Sequence, residues 1–434
     1  MSLTNGLQHK SILDVSLSIR LLSYLLTLMG YVFYTYNFIV IDYIRPYLLD
    51  QMTLENTAFL YTAESVGAIV GSFAMAGLCV RFGVKKSLVW VTLLNGVASL
   101  INIHVVGFVP WLMMRFLIGL ALGGYFVGAV GVLMILVEMR YRGRLASFYE
   151  CCFSVSLILL GVIGSVVTQH SWPTLIEFGA IPPILLGGLM WLVMPNDRQF
   201  APLPHKRSPT IQKQGIQWFL QHRRYLRFAV ACIVLSGCNL FAYQFFAAYL
   251  TTYSNHVLHL SNTQMGHIIT AQGIGSLVGG LFWGVVSDYW GRKVPLLGFV
   301  VAALAIWVFF NVASHDGLLL ITVAVYGFMV SCTYCWGVYF AELFPERLRM
   351  LGASFYHGGR ILSFLAPVLL VQMLPRYGLA VSMATGSSIA LILGAVIWFS
   401  MPETLRTRID STVRSNQYGD ANREPVQDIK GEII

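Results

Sequence analysis

Asp42, Glu64, Arg115 and Arg360 each stand within a stretch of about 20 mainly apolar residues, the length at which a helix crosses a bilayer. A charge in such a place is expensive unless it meets an opposite charge, water or a ligand, so these four are the first candidates for chemistry. Counting helical rise along spans of alternating direction puts Asp42 near the outer end of the first span, Glu64 about 10 Å into the second and Arg115 at a similar depth in the fourth. A shared depth permits a charge cluster, in which a partly desolvated carboxyl beside an arginine can cycle between charged and neutral. Asp42 also has a simpler reading, a pair with Arg45 three residues on. Arg360 lies about 12 Å from the cytoplasmic end of the eleventh span. It has no acid within its own helix, and Gly358 and Gly359 beside it allow close approach. Arg115 and Arg360 together favour a ligand with a carboxylate, which a guanidinium grips with two hydrogen bonds.

Around these charges the midplane offers Asn239, Tyr243 and Gln244 on the seventh span, Gln272 on the eighth, and Tyr334 and Trp336 on the tenth. Amides and aromatic hydroxyls suit a small polar ligand, and rings cover its apolar part. Interhelical hydrogen bonding explains the same residues without a ligand. His267 reads as an interfacial residue. Cys332 and Cys335 are a C-x-x-C in an apolar helix without a second pair, and read as helix packing and not as a metal or redox site. No nucleotide-binding glycine loop ending in Lys-Ser or Lys-Thr is present, and no zinc array, so neither cofactor nor metal is expected and an enzyme is disfavoured.

The elements that must position these side chains follow from composition. With 57% hydrophobic and 11% charged residues over 434 positions, most of the chain must face lipid or other helices. The expected fold class is an all-α membrane protein with twelve transmembrane helices in two six-helix pseudo-symmetric halves. The apolar runs lie near 22–45, 57–80, 87–107, 109–135, 146–168 and 174–194, then 227–250, 265–287, 294–314, 317–341, 352–374 and 378–401. The halves are 22–194 and 227–401, flanked by a cytoplasmic tail at 1–21, a polar linker at 195–226 and a mobile tail at 402–434. Apart from Arg45, Arg115, Arg360 and Arg376, every Lys and Arg falls in the tails or in even-numbered loops, which makes both termini cytoplasmic. The net charge of +9 is this bias, suited to an anionic inner leaflet and not to nucleic acid. The first span lacks a small-residue cleavage site and reads as a helix, not a signal peptide. All seven cysteines lie in apolar runs or at their ends, so structural disulfides are not expected.

The halves repeat each other at an offset of 207 to 208 residues. Gly83 and Lys85 fall on Gly291 and Lys293, Gly119 on Gly327, and Trp191, Met194 and Pro195 on Trp398, Met401 and Pro402. A frame that stays so constant implies two structurally equivalent units, the plan of many transporters.

The segment from Gly284 through Asp288, Gly291 and Arg292 to Lys293 resembles the loop between second and third spans of the major facilitator superfamily, G-x-x-x-D-(R/K)-x-G-(R/K)-(R/K). It recurs at Ala76 to Lys85, where Arg81, Gly83 and Lys85 remain while Val80 replaces the acid and Ala76 the first glycine. Arg115 to Gly124, Ala341 to Arg349 and Met401 to Thr404 narrow the resemblance to the sugar and organic-acid proton symporters of that superfamily, over about residues 22 to 405. The resemblance implies alternating access. Members with this fourth-span arginine often carry a proton-binding acid in the middle of the first span. Asn37 stands there in this chain, which leaves Glu64 or Asp42 to take the coupling role, or a uniport or exchange mode without it.

The loop charges sit at cytoplasmic helix ends, where acid–base pairs can lock the inner face and break as the halves rock. The gate candidates are Arg81, Gly83, Lys85, Arg142 and Arg144 in one half, where the acid missing at Val80 makes the lock weaker or is supplied by Glu138 or Glu150. In the other half they are Asp288, Gly291, Arg292, Lys293, Glu342 and Arg349. Retention of positive charge on the inner side accounts for the cations without a gate. The expected function is proton-coupled uptake of a small organic anion or related polar metabolite by a monomer in the bilayer of a bacterial inner membrane. Efflux of an amphipathic compound, or a non-transporting sensor on the same scaffold, are the alternatives.

Overall fold

The computed structural model describes residues 15–136, 139–166, 171–196, 222–312, 316–345, 352, 355–356 and 358–405. All regular elements among them are helical. They run α1 Leu17–Leu48, α2 Leu54–Phe82, α3 Val84–Asn102, α4 Phe108–Leu136, α5 Met139–Gly164 and α6 Pro173–Val193, then α7 Arg223–Phe245, α8 Leu250–His256 and α9 Asn262–Tyr289. After these come α10 Leu297–Asn311, α11 Asp316–Val330, a 3-10 turn at Ser331–Cys335, α12 Trp336–Glu342, α13 Arg360–Ser363 and α14 Leu365–Ser400. Helix starts carry the capping chemistry that polar loops supply: Thr53 accepts from the Asn56 N–H at 3.2 Å, and Ser261 forms a reciprocal capping box with Gln264. Gly83 and Gly291, with φ of 91° and 127°, end their helices in a backbone region that glycine enters without penalty.

Ten segments among the described residues are long and apolar enough to cross a membrane. The sequence runs number twelve, and the difference has local causes. Of α5, Met139–Gly164, only the apolar stretch Phe148–Gly164 enters that count, and Arg360–Ser400 counts once although Gly378, at φ 72°, breaks it. Phe73, Leu192 and Phe399 point outward, as a lipid-facing surface requires.

Small residues let the helices approach. Gly67 and Gly71 of α2 sit against the carbonyls of Phe116 and Leu120 on α4, while Gly119 and Gly123 of α4 sit against the carbonyls of Glu64 and Ala68. The same arrangement returns 208 residues on, where Gly275 and Gly279 of α9 meet the carbonyls of Ala324 and Phe328, and Gly327 meets that of Gln272. A side chain at Gly123 would overlap backbone, which cannot rotate away. Gly123→Leu is therefore expected to cost about 3 kcal/mol or more and to abolish the monodisperse peak in size-exclusion chromatography. Gly188→Leu, at a site with nothing within 4 Å of an added Cβ, should leave that peak in place.

Helices α1 to α6 pack largely among themselves, and so do α7 and α9 to α14. Between these groups, α5 lies along α9, α8 against α1, and α13 and α14 against α2.

Candidate functional site

A cavity of about 110 Å³ lies between the two groups of helices. Its wall is drawn from α1 (Tyr31, Tyr34, Phe38), α5 (Tyr149, Glu150, Phe153), α7 (Asn239, Tyr243), α9 (Gln272), the 3-10 turn (Tyr334), Tyr356 and Arg360. This volume exceeds what a single water fills and suits a small ligand or several waters. Of the sequence candidates for substrate contact, Asn239, Tyr243, Gln272, Tyr334 and Arg360 line it. Tyr334 also shares a hydrogen bond with Ser154 on α5 at 2.7 Å, joining the two helix groups across the cavity.

Arg360 is the cavity's cation. Its guanidinium lies over the Phe38 ring at 5.1 Å and within hydrogen-bonding reach of the Tyr34 hydroxyl, and no ion pair among the described residues includes it. A half-buried guanidinium that meets a ring and a phenol, with no ion pair among the described residues, keeps donors for an anion.

Glu64 and Arg115 are paired behind the wall. Arg115 bonds the Glu64 carboxylate and gives further hydrogen bonds to the carbonyls of Asn37 and Phe38, each at 3.2 Å, with both side chains almost wholly buried. The close backbone approach of α2 and α4 at their glycines makes this pairing possible. Neither residue lines the cavity. Asn37 does not line it either: its amide donates to Gly179 O at 2.9 Å and Asn95 Oδ1 at 3.3 Å, tying α1 to α6 and α3. Asn37, Glu64 and Arg115, expected at the substrate or coupling site, here serve contacts between helices. Gln244 is buried outside the wall, and Trp336 belongs to an aromatic core with Phe299, Phe340 and Trp398.

Asp42 sits one layer from the cavity. Its carboxylate accepts from the Tyr243 hydroxyl and lies 3.8 Å from Arg45, and its carbonyl accepts from Thr251. Arg45, set aside in the sequence as a simple partner, is fully buried. It donates to Ala248 O at 2.7 Å and stacks on Tyr249 at 3.9 Å. Tyr43 and Tyr47 bond Asn262 at 3.0 and 2.8 Å. The α1 end of the bundle is therefore clasped shut by bonds between the two helix groups.

The opposite end holds acid–base pairs among the gate candidates of the second helix group. Arg292 grips Glu342 with two bonds, at 2.9 and 3.0 Å, and also meets Asp288 at 2.5 Å and Ser287 at 3.0 Å. Glu403 accepts from the N–H groups of Arg292 and Lys293 at 2.9 and 3.0 Å. Burial pushes the Glu403 carboxyl up, but N–H donation from Leu405, Arg292 and Lys293 outweighs it and holds the group below its ordinary value. Its contribution is thus present above the ordinary carboxylate range and is lost as pH falls through the depressed value. All these partners belong to the second helix group. Lys85 and Lys293 donate to the carbonyls of Met194 and Phe399, closing the ends of α6 and α14 in equivalent ways. Arg81 lies over Phe82. The side chains of Glu138, Arg142, Arg144 and Arg349 lie outside the described residues.

Asp288 is 66% exposed, whereas Arg292 is 4% exposed. Asp288→Asn should therefore shift thermal stability by less than about 1 kcal/mol. Glu342→Gln, which leaves buried donors of Arg292 short of a charged acceptor, should cost about 1–3 kcal/mol. Melting in detergent separates the two, and equal losses would contradict the geometry.

Glu150 is corrected most. Expected at the gate, it faces the cavity with the Tyr356 hydroxyl as its hydrogen-bond partner. The tyrosines of α1 and α5 were also missed. Their clustering shows only when the helices are packed, with Tyr31 and Tyr149 centroids at 4.9 Å and Tyr31 and Tyr34 at 4.7 Å.

Comparison with known proteins is consistent with this arrangement. The family model described as Major Facilitator Superfamily matches residues 25–262 and 232–427. The cis,cis-muconate transport protein of Acinetobacter baylyi is 24% identical over 323 residues, 71% of this chain and 75% of that protein. The sialic acid transporter NanX of Escherichia coli is 22% identical over 367 residues, 82% of this chain and 87% of that protein. The crystal structure of a D-xylose-proton symporter superposes with a TM-score of 0.71 at 18% identity, over 88% of this chain and 98% of that one.

Proposed function

The chain belongs to the Major Facilitator Superfamily of membrane transporters, and from that premise we propose that it carries a small organic carboxylate, with a proton, by alternating access. The observation that carries this reading is the Arg360 guanidinium, in no ion pair among the described residues, in a cavity walled by both helix groups. The carboxylate binds Arg360, the tyrosine rings cover its apolar body, and Asn239 and Gln272 meet its remaining polar groups. Muconate and sialic acid, named for the two relatives, are both carboxylates, which favours the same chemistry here.

The reading includes twelve spans in two halves, 22–194 and 227–401. It is supported by the glycine contacts repeated at an offset of 208, by the break at Gly378, and by the apolar stretch in α5. With both termini on the cytoplasmic side of a bacterial inner membrane, the clasp of Arg45, Tyr43 and Tyr47 closes the outer end. The cavity then exchanges with the cytoplasm. A monomer suffices, since the cavity lies wholly within one chain.

Uptake of labelled cis,cis-muconate and N-acetylneuraminate into proteoliposomes tests this reading. Saturable uptake of a carboxylate that rises with an inward proton gradient is the expected result. Transport confined to amphipathic cations would overturn it in favour of efflux, and no flux of any solute would favour a sensor.

A further inference from the structure

We propose that the coupling proton is carried by Glu150 on α5, in the cavity wall, and not by Glu64 or Asp42. This rests on the transport reading above and gives its coupling a residue. Three acids come near the cavity, and their surroundings differ. Glu64 is neutralised by Arg115, and Asp42 lies beside Arg45 with Tyr243 donating to it. Glu150 has no cation within ion-pair distance among the described residues; a phenol, Tyr356, is its side-chain partner. An anion in that position gains little from its neighbours, so a proton is the species that removes its charge. Glu150 lines the cavity, whereas Glu64 is buried outside its wall.

The groups that face Glu150 are named by the packing. Tyr31 and Tyr34 come from α1, Tyr334 from the 3-10 turn, Tyr356 from the segment before α13, and Cys151 and Cys152 adjoin it on α5. Arg360 occupies the same cavity and enters no ion pair among the described residues. A carboxylate on Arg360 and a negative Glu150 repel each other across that small space, so the substrate binds better once Glu150 holds its proton, and the reverse follows by linkage. The step is proton binding alone: an O–H bond forms on the Glu150 carboxylate as one breaks in a hydronium ion, which leaves as water, and the reverse transfer to water follows once the cavity faces the other side of the membrane.

Protonation also changes the bond to Tyr356. An ionised carboxylate only accepts, so the phenol must donate, whereas the neutral acid has a donor of its own. Glu150 belongs to the first helix group and Tyr356 to the second, so the proton alters a contact between the groups that move.

Two measurements decide the matter. Infrared difference spectra of the reconstituted chain across a pH step should show a protonated-carboxyl band that is lost in Glu150→Gln and kept in Glu64→Gln; this needs no substrate. With cis,cis-muconate as probe, a gradient of about one pH unit should sustain roughly tenfold accumulation for one coupled proton. In Glu150→Gln the ratio should fall to about one, with counterflow still measurable, and Glu150→Asp should restore pH dependence. A band that survives Glu150→Gln but disappears in Glu64→Gln or Asp42→Asn overturns the proposal, as does wild-type accumulation in Glu150→Gln. If the wild type does not carry muconate, the transport reading fails for that probe, and the infrared bands still decide which carboxyl takes the proton.

Discussion

Arg360→Lys is expected to lower the apparent affinity for a carboxylate substrate by roughly ten- to a hundredfold, the equivalent of about 1.5–3 kcal/mol for a hydrogen bond to a charged group. The charge is kept, but the planar fork that holds a carboxylate through two parallel bonds is lost, and an ammonium loses the stacking on Phe38. The side chain is half-buried in the cavity wall and makes no ion pair among the described residues, so folding does not depend on it. The mutant should elute as the wild type does in size-exclusion chromatography while its uptake KM rises. Wild-type uptake with an unchanged KM would show that the guanidinium does not touch the substrate.

The second large effect concerns stability. Arg115→Met should destabilise the carrier by about 3–5 kcal/mol, because it leaves Glu64 charged, buried and without its partner. The double variant Glu64→Gln, Arg115→Met removes both charges and should recover a large part of that loss, the coupling expected of residues in direct contact. Thermal inactivation of the single and double variants in detergent measures it. If the double variant is no more stable than Arg115→Met alone, the pair is not what holds α2 to α4 at this depth. Glu64→Gln alone should reduce stability while leaving a pH-dependent transport profile, which separates a structural acid from a coupling one.

What could be read from the sequence followed from the bilayer. Lipid makes spans long and apolar, so the charges within them stood out, and Arg360 was found as a site candidate for that reason. The repeat offset also carried through to contacts, because Gly119 and Gly327 hold the same carbonyl-facing positions in α4 and α11. Rotation about a helix axis was much less legible. Asn37 and Trp336 are polar or aromatic at midplane depth, yet they turn towards α6 and towards Trp398, and no single-helix pattern says which neighbour a side chain will meet.

Glu150 was misplaced for a different reason. The apolar run of the fifth span begins near residue 146, which sets Glu150 at its cytoplasmic edge. The helix begins at Met139, which puts Glu150 about three turns in. The acid–base residues at the α9–α10 turn, Asp288, Arg292 and Glu342, were visible in the sequence, but the part of Glu403 was not. Arg292 turned to Glu342 and Glu403 within its own helix group, since those carboxylates lie beside it at the ends of α12 and α14.

The most direct test of the carboxylate site is a paired competition in proteoliposomes between a transported carboxylate and its primary amide, run on the wild type and on Arg360→Lys. The expected result is strong competition by the carboxylate and little by the amide in the wild type, with the carboxylate's advantage falling by roughly ten- to a hundredfold in Arg360→Lys. Equal competition by acid and amide, or an advantage untouched by the substitution, would contradict an anion held by Arg360.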